Sequence, residues 1–143
     1  MNISKLLIGA VVGGIVLFFL GWLIYGNLLM TFMRHHTGEI GHHADRREML
    51  YLYLVVGNLL QGALLSYILV KSNVSSLIGG VVTGAVVGLL MAASVDAIMY
   101  ATTLMLSKHS MVADIAATTI MSAIAGGAIA LVTGAGKSRG SKG

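Results

Sequence analysis

Five acidic residues occur in this chain, and Asp96 is the one that lies well inside an uncharged apolar stretch. A carboxylate in hydrocarbon costs at least about 2.5 kcal/mol, so Asp96 must face protein or water and needs a partner. Asn58, Gln61, Ser94 and Thr118 are polar residues of the same kind of stretch that can supply hydrogen bonds. Asn27 and Tyr100 complete a set of polar candidates, with Tyr25 nearby and Asp114 at the start of the last apolar run. Such a set can hold a proton or a cation. The alternative is structural: if the third helix protrudes from the bilayer, Asp96 pairs with Lys108 or His109 at the interface. Asn58 and Gln61, three residues apart on one face of a helix, more often hydrogen-bond a neighbouring helix than a substrate.

A second group capable of chemistry is the segment Arg34-His35-His36-Thr37-Gly38-Glu39-Ile40-Gly41-His42-His43-Ala44-Asp45. On a helix, His35, Glu39 and His42 or His43 share one face. Imidazoles with a carboxylate form a nitrogen and oxygen set suited to Zn, Ni, Cu or Fe. Gly38 and Gly41 weaken a helix here, and the spacing is not the H-E-x-x-H pattern of zinc proteases. A solvated loop among lipid headgroups, a transition-metal site at His35, His36, Glu39, His42 and His43, and a histidine pH sensor all remain open.

Other chemistries lack their residues. With no cysteine, the chain has no disulfide, thiolate metal site or thiol nucleophile. No serine is placed beside a histidine and an orienting acid. Gly134-Ala135-Gly136-Lys137-Ser138 lacks the upstream glycine of a phosphate loop and follows an apolar run instead of a strand. Nothing here predicts an enzyme or, beyond the loop metal, a cofactor.

The elements that carry these residues are set by composition. Hydrophobic residues make up 57% of the chain and charged ones 10%, against about 25% charged in a soluble domain. A membrane helix needs about 20 mostly apolar residues, and four such spans are predicted, at 6–33, 49–70, 74–106 and 111–133. The histidine-rich loop occupies 34–48 and a basic tail 134–143. Backbone in lipid must satisfy its own hydrogen bonds, so the spans are helices, and the predicted fold is an all-α, integral-membrane four-helix bundle forming one domain. The first apolar run continues through Trp22 and Tyr25, too long for a cleaved signal, and is expected to stay as a span. The first and third spans exceed the bilayer and should tilt or project on the side of the first and third loops.

Lys5, Lys71, Lys137, Arg139 and Lys142 fall on one side and Arg34, Arg46, Arg47 and Lys108 on the other. The purely basic tail favours cytoplasmic termini. These cations flank spans, which suits anionic lipid and not nucleic acid.

Gly80, Gly84, Gly88 and Ala92 recur every fourth residue, as do Gly9 and Gly13. Small residues let helix backbones approach closely in lipid, so both stripes read as helix contacts, within one chain or between copies in a homo-oligomer. The run Leu7-Ile8-Gly9-Ala10-Val11-Val12-Gly13-Gly14 matches Leu77-Ile78-Gly79-Gly80-Val81-Val82-Thr83-Gly84, which suggests a duplicated two-helix unit whose copies share one orientation. The second and fourth spans align poorly.

The segment Gly21-Trp22-Leu23-Ile24-Tyr25-Gly26-Asn27-Leu28 resembles the small bacterial four-helix inner-membrane proteins of unknown function whose first helix ends in a tryptophan-tyrosine-glycine run. Here Leu23 and Ile24 separate Trp22 from Tyr25, and Asn27 stands where that group often has proline. The resemblance covers this segment and the four-span layout. It implies a bacterial cytoplasmic-membrane location and brings no activity with it. Three functions are therefore expected as alternatives: a small oligomeric transporter or channel-like protein, a non-catalytic subunit of a membrane complex, or a membrane-anchored metal or pH sensor.

Overall fold

A computed structural model of the chain describes residues 2–28, 51–103 and 106–140. They form four helices: α1 at Ile3–Leu23, continued by a π-helical turn at Ile24–Leu28, α2 at Tyr51–Lys71, α3 at Leu77–Thr102 and α4 at Lys108–Gly140. All four are long and apolar enough to cross a membrane. The chain is thus an all-α four-helix bundle, as expected.

Local signals explain the helix ends. The Asn2 side chain caps α1 by accepting from the Lys5 amide at 3.3 Å, and Ser76 caps α3 through the Gly79 amide at 3.0 Å. At the start of α4 the Ser107 hydroxyl accepts from the Ser110 amide at 3.1 Å. Each side chain satisfies an amide that the first helical turn leaves unpaired. The capped third helix is shorter than the 74–106 predicted, because Ser76 starts it and Thr103 leaves it in extended conformation. Its 26 residues still span about 39 Å at about 1.5 Å each. The fourth helix outruns 111–133 at both ends, so residues 134–140 of the expected tail are helical.

Helix α2 ends in a Schellman turn: the Val74 amide donates to Leu69 O at 3.0 Å and the Asn73 amide to Val70 O at 3.2 Å. Asn73 takes the left-handed position, φ 56°, where a β-branched residue is strained. Asn73→Val is expected to cost about 1–2 kcal/mol, and Asn73→Gly to be neutral or stabilising; thermal unfolding in detergent checks both.

Apolar side chains face outward and small ones inward. Ile78 is 76% exposed and Leu52 71%, whereas the buried residues of α3 are Gly80, Gly84, Gly88, Ala92 and Asp96. This arrangement would be unfavourable in water and is the expected one in hydrocarbon, where helices gain little by burying leucine against leucine. The fold is that of a multi-pass membrane protein.

Helix α4 is central, packing on α3, α1 and α2, while α1 also packs along α2 and α3 barely meets α2. The apolar core joins Leu17 of α1, Leu65 and Leu69 of α2, and Met121, Ala125 and Ile129 of α4. Helix α3 contributes only the partly buried Val87 beside this core and meets α4 along its small-residue face.

The two helical hairpins, α1–α2 and α3–α4, make the same contacts in the same register. A Cβ at Gly62 would strike Ala10 and Gly14 backbone, and one at Gly126 would strike Gly80 and Gly84 backbone. Gly14 lies against Asn58 and Leu59 backbone, and Gly84 against Ser122 and Ala123 backbone. Ala10 with Gly80 and Gly14 with Gly84 are the pairs in the sequence match. The contacts then extend the match into the second helix of each hairpin, pairing Asn58 with Ser122, Leu59 with Ala123 and Gly62 with Gly126. Sequence comparison misses this because only Gly62 and Gly126 kept the same residue.

Candidate functional site

Asp114, Thr118 and Ser122 follow one another at four-residue spacing and form a polar column on one face of α4. Helix α3 supplies Asp96 at the end of its small-residue face, and α1 supplies Tyr25 from the π-helical turn. A π turn accommodates an extra residue and commonly marks a functional position. Here it belongs to the segment that brings a phenol from α1 to the acidic residue of α4.

The Tyr25 hydroxyl donates to Asp114 Oδ1 at 2.5 Å and lies 3.2 Å from Thr118 Oγ1. A phenol has one proton to give, and the shorter contact to a carboxylate takes it, so Thr118 is the donor in the second bond. The Asp96 carboxyl lies near the Asp114 carboxyl, close enough for the two groups to interact electrostatically. Asp96 is 5% exposed, and its Oδ2 has no hydrogen-bond partner among the described residues. The Ser122 hydroxyl, one turn beyond Thr118, is also buried and unpartnered there. Beside it a Cβ on Gly88 would come within 2.6 Å of Ser122 Oγ and 3.0 Å of Thr118 O, so glycine leaves just enough room for the hydroxyl.

Asp96 is six residues from the end of α3 and Asp114 six from the start of α4, which places both about 9 Å inside the helix ends. Ser122 lies about 21 Å along α4 by the same rise. Beyond it the seam narrows to backbone contact at Gly80, Gly84 and Gly126. The polar column thus runs from the end of the bundle that carries Lys108 to about mid-helix, and stops.

No protein-family model, curated protein or solved structure matches the chain. Its function has to be read from this chemistry. The oxygens of Asp96, Asp114, Thr118 and Tyr25 can hold a proton or a small hard cation.

Of the residues singled out by sequence, Asp96, Thr118, Tyr25 and Asp114 enter this cluster. Asn58 donates to Leu54 O of its own helix at 2.8 Å, Asn27 donates to Trp22 O at 3.2 Å, and Tyr100 is largely exposed. Gln61 is half-buried on α2. None of these four joins Asp96. The carboxyl that meets Asp96 is that of Asp114 on α4. The four-residue spacing of Asp114, Thr118 and Ser122, matching that of Gly88, Ala92 and Asp96, was the available signal. Gly9 and Gly13 meet Ser66 and Gly62 of α2. The stripe of Gly80, Gly84 and Gly88 meets α4 of the same chain. His35, His36, Glu39, His42 and His43 lie outside the described residues.

Tyr25→Phe removes the donor to Asp114 and leaves Thr118 without its acceptor. It is expected to lower stability by about 1.5–3 kcal/mol, the range for a hydrogen bond to a charged group. Thermal unfolding in detergent checks this. Thr118→Val, which keeps the stronger bond, should cost less.

Proposed function

We propose that this is a small transporter of the bacterial cytoplasmic membrane in which Asp96 and Asp114 together bind and release a proton, from one side of the bilayer. The observation that carries the reading is the buried, unpartnered Oδ2 of Asp96 beside a second carboxyl group. Two carboxylates at such range in low dielectric repel strongly. A single shared proton turns that repulsion into a hydrogen bond, as in other carboxyl dyads. The titratable group that meets the pair is Tyr25 of α1; in sequence, Tyr100 follows Asp96 by one turn of α3, and Lys108 and His109 open α4.

The column ends at the glycine contacts, so the arrangement favours a gated carrier over an open pore. Movement along the seam between α3 and α4 would be needed to expose the pair to the opposite side. In this reading the glycine faces are the packing device of the bundle, in lipid where close backbone approach replaces hydrophobic burial. Four helices enclose little volume, so a substrate path is expected to involve a homo-oligomer. With cytoplasmic termini, the pair opens toward the outer face.

Proteoliposomes with a trapped pH indicator test the proposal. Under an imposed membrane potential, the wild-type chain should change internal pH faster than empty vesicles, and Asp114→Asn should return the rate to background. A wild type that moves no protons, with Asp114→Asn altering only its melting temperature, would leave a non-catalytic scaffold as the better account.

A further inference from the structure

The opposite end of the bundle holds a cleft of about 510 Å³ between the start of α1, the α2–α3 turn and the far part of α4. Lys5 and Lys71 line it, with Asn73 and Ser75 on the turn and Thr133 on α4. Leu69, fully buried, and Val74 also line it and give it an apolar portion. The cleft is not an accident of a loose loop. Gly134 abuts the Ser75 backbone, and the Schellman turn closes α2, so two walls are held by backbone contacts. The Lys71 ammonium donates to the Tyr67 hydroxyl at 3.0 Å and lies 5.3 Å from the Tyr67 ring centre. That cation is held in place with donors to spare.

Charge at this end is one-sided. Among the described residues the acidic side chains, Asp96 and Asp114, lie in the other half of the bundle. Lys137 and Arg139 belong to the last turns of α4, which runs toward this end. The amino end of α1 adds its positive dipole. Lys5 and Lys71 stand at the ends of apolar helices, the depth at which headgroups lie.

We propose that this cleft binds a phosphate group, presented by the headgroup of an anionic phospholipid, with Lys5 and Lys71 as the cations and the apolar portion taking the glycerol region. Lysine binds phosphate as a point charge and needs no planar fork. The site is independent of the proton-binding carboxyl pair.

The full chain in nanodiscs of phosphatidylcholine, with or without phosphatidylglycerol, tests it, read by lipid retained in native mass spectrometry and by melting temperature. Wild type is expected to retain phosphatidylglycerol about tenfold over phosphatidylcholine and to melt higher in its presence. Lys5→Gln with Lys71→Gln should lose both effects while keeping its helical circular dichroism, and Lys108→Gln at the other end should lose neither. Equal retention of the two lipids by wild type overturns the proposal. So does a preference that survives the double substitution, or one that disappears only when Lys137, Arg139 and Lys142 are neutralised. Inorganic phosphate separates the two sources of the anion. A headgroup site keeps its lipid preference when millimolar phosphate is added; a site for the free anion loses it and is stabilised by phosphate alone, which overturns the headgroup assignment.

Discussion

Asp96→Asn is expected to leave the bundle folded and to abolish the proposed proton uptake. An asparagine amide has the shape of a protonated carboxyl group and can donate to Asp114 as that group would. The favourable contact of the proposed protonated pair is therefore kept, and the melting temperature should stay within a few degrees of wild type or rise. What is lost is the exchangeable proton. If this side chain carries the proton, flux into proteoliposomes should fall by at least about a hundredfold, the lower end of what a positioned proton-transfer group contributes. Infrared difference spectra give a second readout: the wild type should show the C=O stretch of a buried protonated carboxylic acid, and the variant should lack it. Unchanged flux with reduced stability would make Asp96 a purely structural residue.

The second large effect is expected at Gly84. A Cβ there would meet the Ser122 carbonyl and stand 3.2 Å from Ala123 Cα, all of it backbone that no rotamer change can move aside. Helix α3 has little else holding it. The apolar core is built chiefly by α1, α2 and α4, and α3 touches α2 only slightly. Gly84→Leu should thus push α3 away from α4 at a cost above about 3 kcal/mol, the upper end for overpacking. Denaturant unfolding in micelles measures the loss. Because the chain has no cysteine, a pair introduced at the outer ends of α3 and α4 can report separation by crosslinking. Gly57→Leu provides the contrast, since a Cβ at that position meets nothing within 4 Å. Equal losses at Gly57 and Gly84 would show that helix propensity, not the seam, sets the effect.

The two carboxyl substitutions and the glycine substitution probe different layers of one arrangement. The small-residue face that lets α3 lie against α4 is continued, one turn at a time, into Ala92 and then Asp96. Close approach is therefore what brings Asp96 to Asp114, and loosening the seam at Gly84 should weaken the acidic pair as well. In the Gly84→Leu protein the carboxylic-acid band should shift toward that of a solvated group.

Several features were legible in the residues themselves. Four spans follow from apolar length measured against bilayer thickness, which is a local property. Asp96 stood out because a charge in hydrocarbon is costly wherever its helix goes. The repeat was visible in Leu7 to Gly14 and Leu77 to Gly84, where the match is nearly residue for residue. The end of α3 is not legible in the sequence, because Thr103 to Ser107 is uncharged and reads as apolar continuation, yet the chain turns extended at Thr103 before the Ser107 cap. The end of α4 is equally hidden, because the basic residues after Gly134 read as a tail, while nothing in them prevents the helix from continuing to Gly140.

Tertiary structure alone decided who meets Asp96. The helices are apolar around most of their circumference, so hydropathy does not encode which way each is rotated or how far it is slid along its neighbour. Asp114 reaches Asp96 through the register of α3 against α4, and Tyr25 reaches Asp114 through a π-helical turn at the end of α1. Asn58, Gln61, Asn27 and Tyr100 are as polar as the residues that joined the site, but they stand on other faces or other levels of the bundle. Sequence determined that a buried acid needs a partner; the rotation and register of three helices chose it.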